Sequence, residues 1–178
     1  MTTGERRSYE VQPRELDRTT RAKPFSVFLL FALAIQSLRY GDVMKLSTEE
    51  RRVLQESSRF HEVHSTSDLP SAIVALCAGD NRKLAEPGQT WQTTDVITDP
   101  TRSGKRLIWA ATGGDDYVIH YERGGIAHTF HILVATFTKD DAKPKVVWTA
   151  VGDRLKDYGA FLGALRRGKL DDRLDYAH

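Results

Sequence analysis

The chain has a single cysteine, Cys77, among its 178 residues. That excludes an intramolecular disulfide, so a domain of this length must be held together by burial. Cys77 sits in the apolar stretch AIVALCAG with no basic residue within four positions. The setting suits a small core residue and lacks the electropositive neighbours that activate a catalytic thiol.

Charge of one sign is also missing. Twenty-six basic residues stand against 24 acidic ones, and residues 1–37 hold six of the former and four of the latter. The remaining 141 residues therefore carry 20 of each and no net charge. A neutral domain lacks the electrostatic footprint that a phosphate backbone selects for, so no nucleic-acid partner is expected.

Motifs are scarce as well. The sequence has no G-x-S-x-G elbow, no G-x-x-x-x-G-K-[ST] loop and no G-x-G-x-x-G fingerprint. His61-Glu62-Val63-His64 is not H-E-x-x-H, because its histidines are three positions apart, and it falls where a helix should be ending. The pairs Asp115-Asp116, Asp140-Asp141 and Asp171-Asp172 lack calcium-loop spacing and suit turns or a tail. No cofactor and no metal is expected from these patterns.

There is also no apolar run long enough to span a bilayer easily, which takes about 20 residues. What is present is PFSVFLLFALAIQSL, Pro24 to Leu38, uncharged from Phe25 to Ile35 and preceded by Arg21 and Lys23. A short apolar segment behind a basic flank reads as the core of a signal peptide, with Ala32-Leu33-Ala34 or Ser37 near a cleavage point. The 23 or so residues ahead of it make a long n-region. An uncleaved anchor and a buried helix are the other two readings. The expected localisation is export, periplasmic or secreted, or membrane anchorage through this segment alone.

Three divisions follow. Residues 1–24 are charged, lack hydrophobic periodicity and read as a disordered arm. Residues 25–38 are the signal segment or anchor. Residues 39–178 form one α+β domain. Within it, Ser47-Thr48-Glu49-Glu50 is a capping box that predicts a helix to about Ser58. A second helix is predicted from Asp68, as N-cap, to Ala78, with Ile73 and Leu76 under the sheet and Gly79 ending it. A third is predicted over 153–167, with Leu155, Tyr158, Phe161, Leu162 and Leu165 as its apolar stripe.

Strands are predicted at 90–97, 106–112, 117–122, 126–138 and 145–150, where the hydrophobic period falls to about two. Short connections make them an antiparallel meander. The expected fold is a two-layer α+β domain, a four- or five-stranded sheet packed on one face by helices.

Gly124-Gly125 predicts a two-residue hairpin turn, with Arg123 opposite Ile126. In that register Tyr117, Ile119, Tyr121, His128, Phe130, Ile132 and Val134 line the helix-facing side, with His128 a core histidine. Val118, His120, Glu122, Thr129, His131 and Leu133 then line the open side. His120, Glu122 and His131 become candidate ligand-binding residues, two imidazoles and a carboxylate suited to a metal or to acid–base work. Solvated side chains on an open antiparallel face are the competing explanation. Trp91, Trp109 and Trp148 are expected in the core or on a sheet face.

The function expected from the sequence is a non-enzymatic exported module that binds a protein or small ligand through an open sheet face. The alternative is a metal-dependent or acid–base enzyme centred on His120 and His131. The export reading predicts that the mature protein, sequenced from its N-terminus, begins between about Ile35 and Leu38. An intact Met1 terminus on soluble cytoplasmic protein would refute it.

Overall fold

A computed structural model describes residues 45–79, 83–137 and 143–172. The arm 1–24 and the apolar run 25–38 lie outside those residues. Among the described residues no helix is long and apolar enough to cross a membrane.

The first helix, α1 (Thr48–Gln55), begins as its sequence requires. The Ser47 side chain accepts from the Glu50 amide while Glu50 reaches back to the Ser47 amide, closing the capping box. It ends at Gln55, and a 3₁₀ turn, Ser57–Arg59, carries the chain into β1 (His61–Val63). The first three residues of the H-E-V-H segment therefore form an edge strand and not a helix end. The second helix, α2 (Ser71–Ala78), starts later than expected, with Pro70 at its N-cap. Asp68 lies in a preceding 3₁₀ turn. Gly79 ends the helix at φ +72°, a conformation that favours glycine.

The sheet adds β2 (Leu84–Ala85), β3 (Lys105–Gly113), β4 (Asp116–Arg123), β5 (Thr129–Thr136), β6 (Lys145–Gly152) and, after the third helix, β7 (Asp171–Asp172). It is open and mostly antiparallel, in the order β1-β3-β4-β5-β6-β7, with β2 pairing β3 in parallel. The meander β3 to β6 was legible in the sequence. The expected strand at 90–97 is instead irregular, and β1, β2 and β7 extend the sheet beyond the expected four or five strands. The third helix, α3 (Tyr158–Arg166), is shorter than its predicted 153–167. Asp157 caps it by accepting from the Ala160 amide, which leaves residues 153–156 as a separate loop.

Helices cover both faces, not one. On one face Trp109, Val118, Ile132, Val134, Trp148 and Ala150 pack with Leu54 of α1 and Phe161, Leu162 and Leu165 of α3. On the other, Leu107, Ala110, Ile119, Tyr121, Leu133 and Ala135 pack with Ile73 and Cys77 of α2. Alternating residues of the same strands feed the two cores, as a pleated strand dictates. The bulge at Ile108 shifts the phase, so Leu107 and Trp109 lie on opposite faces although two positions apart. The two-layer expectation fails because β4 and β5 are apolar on both sides.

The β4–β5 connection also departs from its prediction. Arg123 pairs with Thr129, giving a five-residue loop, 124–128, and a register three residues from the expected one. An odd slip exchanges the faces of one strand relative to the other. The glycines serve a different purpose than a tight turn. The Gly124 amide donates to Gly104 O and the Gly125 amide to Thr93 O. A Cβ on Gly124 would stand 2.3 Å from Gln92 O, so this position requires a residue without one.

Ile73 is fully buried and Leu76 only partly so. Ile73→Ala should therefore cost about 2–5 kcal/mol, with Leu76→Ala clearly the milder change. Denaturant midpoints of the two variants test this; a larger loss at Leu76 would mean that α2 presents its other side to the sheet.

Candidate functional site

The corrected register separates the two expected histidines. His120 pairs with Ile132 and faces the α1–α3 core, while His131 pairs with Tyr121 and faces the α2 core. Both are buried. His131 stacks on the Tyr121 ring at 5.1 Å, and its Nε2 lies 2.7 Å from Thr129 Oγ1. The buried Lys105 donates to Cys77 O at 2.9 Å and stands 5.3 Å from the same tyrosine ring.

Glu122 shares the His120 face but has its own partners. Its two oxygens lie 2.7 Å from Arg106 Nε and 2.7 Å from His128 Nε2. Arg106 also donates to Gln89 O and lies over the Trp91 ring. This buried carboxylate is neutralised and bonded, as burial of a charge demands. His128 sits half exposed in the 124–128 loop, not in the core, with its ring against Trp91 and Phe130. Among the described residues no cluster of three or more His, Cys, Asp or Glu side chains is arranged to hold a metal.

His120 is fully engaged. Its Nδ1 lies 2.9 Å from His131 O, and its Nε2 lies 3.0 Å from the Leu155 amide. A carbonyl can only accept and an amide can only donate, so the ring carries its proton on Nδ1 and accepts at Nε2. Trp109 Nε1 donates to Leu155 O at 2.9 Å. Two core side chains thus hold both backbone groups of one loop residue, whose side chain packs into the same core.

Fixing the Leu155 backbone fixes the path of the chain at its neighbours. Arg154 and Lys156 flank it and, with His64 and Ile108, line a cleft of about 350 Å³. Ile108 reaches that cleft from the β3 bulge and is its apolar wall. His64 follows β1 and bonds Glu62 at 3.0 Å, and the other Glu62 oxygen accepts from the Tyr158 amide at 2.8 Å. Glu62 is thus occupied by the start of α3 and by His64. Arg154 has no ion pair among the described residues, and Lys156 lies 3.4 Å from Asp157. The cleft therefore presents an excess of positive groups beside an apolar wall. Sequence reasoning missed it because 153–156 read as helix; Asp157 ahead of Tyr158 was the available signal that the helix starts later.

Burial lowers His120 to about 4, helped by Arg154, against the His131 carbonyl and Glu122. Burial likewise lowers His131 to about 4, helped by Arg123, Lys105 and His120. Unfolding frees both imidazoles to their ordinary value of about 6.5. The unfolded chain therefore binds protons first. These histidines leave stability unchanged above about pH 6.5 and lower it as pH falls toward 4, each by a slope approaching 1.4 kcal/mol per pH unit. Urea midpoints between about pH 7 and pH 5 should fall accordingly; a flat profile would show that the rings are not held neutral.

Comparison with protein-family models, with curated proteins and with solved structures finds no match to this chain.

Proposed function

We propose that the protein is a non-enzymatic binding module whose ligand is a small anion, a phosphate, sulfate or carboxylate group, seated in the cleft formed by His64, Ile108, Arg154 and Lys156. The observation that carries this reading is the double anchoring of Leu155. It holds two cationic side chains on one rigid loop residue's flanks, which lowers the ordering cost of binding. A volume of about 350 Å³ suits a small molecule better than a protein segment. Ile108 favours a ligand with an apolar portion beside its anionic group. The sheet-face surface expected from the sequence has no support in this reading, since both faces carry buried cores.

The proposal includes export, which the apolar run Phe25 to Ile35 and its basic flank support. The ligand would then be met outside the cytoplasm.

Titration with inorganic phosphate and with sulfate, followed by calorimetry, tests the cleft. Charge-assisted hydrogen bonds contribute about 1.5–3 kcal/mol each. Arg154→Ala together with Lys156→Ala should therefore weaken binding at least about tenfold without lowering thermal stability. Binding that survives the double substitution, or no binding by the intact protein, would refute the site.

A further inference from the structure

His120 was expected in the sequence as a ligand-binding residue, and the structure gives it another task. We propose that His120 is the positioning residue of the cleft: its Nε2 holds the Leu155 amide from inside, so a proton added there releases Arg154 and Lys156 from their places. This rests on the anion reading of the cleft.

The geometry leaves the imidazole no slack. Nδ1 donates to His131 O and Nε2 accepts from Leu155 N. Turning the ring over about Cβ–Cγ would put Cδ2 and Cε1 where the two nitrogens stand, and both bonds would be lost. Protonating Nε2 turns an acceptor into a second donor facing an N–H, and that pairing is repulsive. The Trp109 bond to Leu155 O is then the remaining backbone anchor of that residue.

The groups around the ring are accounted for. Trp109 of β3 lies 5.3 Å away and Phe130 of β5 lies 6.3 Å away, both apolar faces. Arg154 from the loop opposes a charge on the ring and Glu122 from β4 favours one. The His131 imidazole lies across the sheet and is itself lowered by His120. Arg154 is thus both a cleft wall and a cation that adds to burial in keeping its own anchor neutral. Release of the loop moves that cation away from His120 and makes the protonated state easier to keep, so the switch reinforces itself.

Wild-type protein, His120→Gln and His120→Leu decide the matter, with sulfate as probe because its charge is constant over the range. Glutamine offers one donor and one acceptor about as far apart as the two ring nitrogens, and it does not titrate. Leucine offers neither. Between about pH 7 and pH 4, the Leu155 amide and Trp109 indole N–H signals of the wild type should shift together in ¹H–¹⁵N spectra, ahead of general unfolding. Its sulfate affinity relative to His120→Gln should fall about twofold by pH 4, where about half of the His120 rings are protonated, and this ratio cancels the contributions of other titrating groups, His64 included. His120→Leu should bind sulfate weakly already at pH 7.

Three outcomes would overturn the proposal: a Leu155 signal that does not move, Leu155 shifting only with global loss of dispersion, or His120→Leu binding like the wild type. If His120→Leu fails to fold, the wild-type spectra and the His120→Gln ratio still decide. Absence of sulfate binding at pH 7 would refute the anion reading instead, and the Leu155 and Trp109 signals would still report on the anchor.

Discussion

Burial of the central strands on both faces is the constraint from which most of the structure follows. Val118, Ile119, Tyr121, Ile132, Leu133, Val134 and Ala135 are all nearly inaccessible, so no side of the β4–β5 pair is left for water. Every polar side chain placed there must find a partner or forfeit the cost of desolvation. His120, Glu122 and Thr129 with His131 have found theirs in backbone groups, an arginine, a second histidine and each other. The residues that read as chemically poised thus each have partners within the fold.

The same constraint explains what the sequence could and could not disclose. Local signals held: the capping box at Ser47, Gly79 closing α2, and the alternating runs that became β3, β4 and β6. Each depends on neighbours within a few positions. The β4–β5 register did not follow, because alternation specifies register only when one face is polar. With both faces apolar, Gly124-Gly125 was the sole local guide, and those glycines answer to a distant segment. Gly124 lies against the Gln92 backbone, a contact invisible to any local rule. The cleft was lost for a related reason. Leu155 fits the apolar stripe of α3 in spacing, yet its backbone is claimed by Trp109 and His120, 46 and 35 positions away.

The 89–104 segment illustrates how irregular chain is made definite without secondary structure. The buried Gln92 amide donates to Thr94 O and Val96 O and accepts from Thr98 Oγ1. Asp99 holds Thr101 and Arg102. The Gln92 backbone N–H donates to Ser103 O. Trp91 closes over Arg106, which in turn holds Glu122. A stretch that a periodicity rule reads as strand is thus shaped by one carboxamide and one carboxylate. Val96 and Ile97 are left outward on it, and Ile126 on the adjoining loop.

The two ends of the described domain are tied to each other. Tyr158 Oη donates to Leu54 O, Arg51 donates to Leu165 O, and Glu62 receives the Tyr158 amide, across 104, 114 and 96 positions. The cleft inherits this span, since one wall comes from His64 and the other from Arg154 and Lys156. It has no existence in either half of the chain alone. Whatever occupies it is linked to the global folding equilibrium, not to a local one, and raises the stability of the entire domain by RT ln(1 + [L]/Kd). A ligand of the cleft would, through that one feature, set its own occupancy and the unfolded fraction of the protein together.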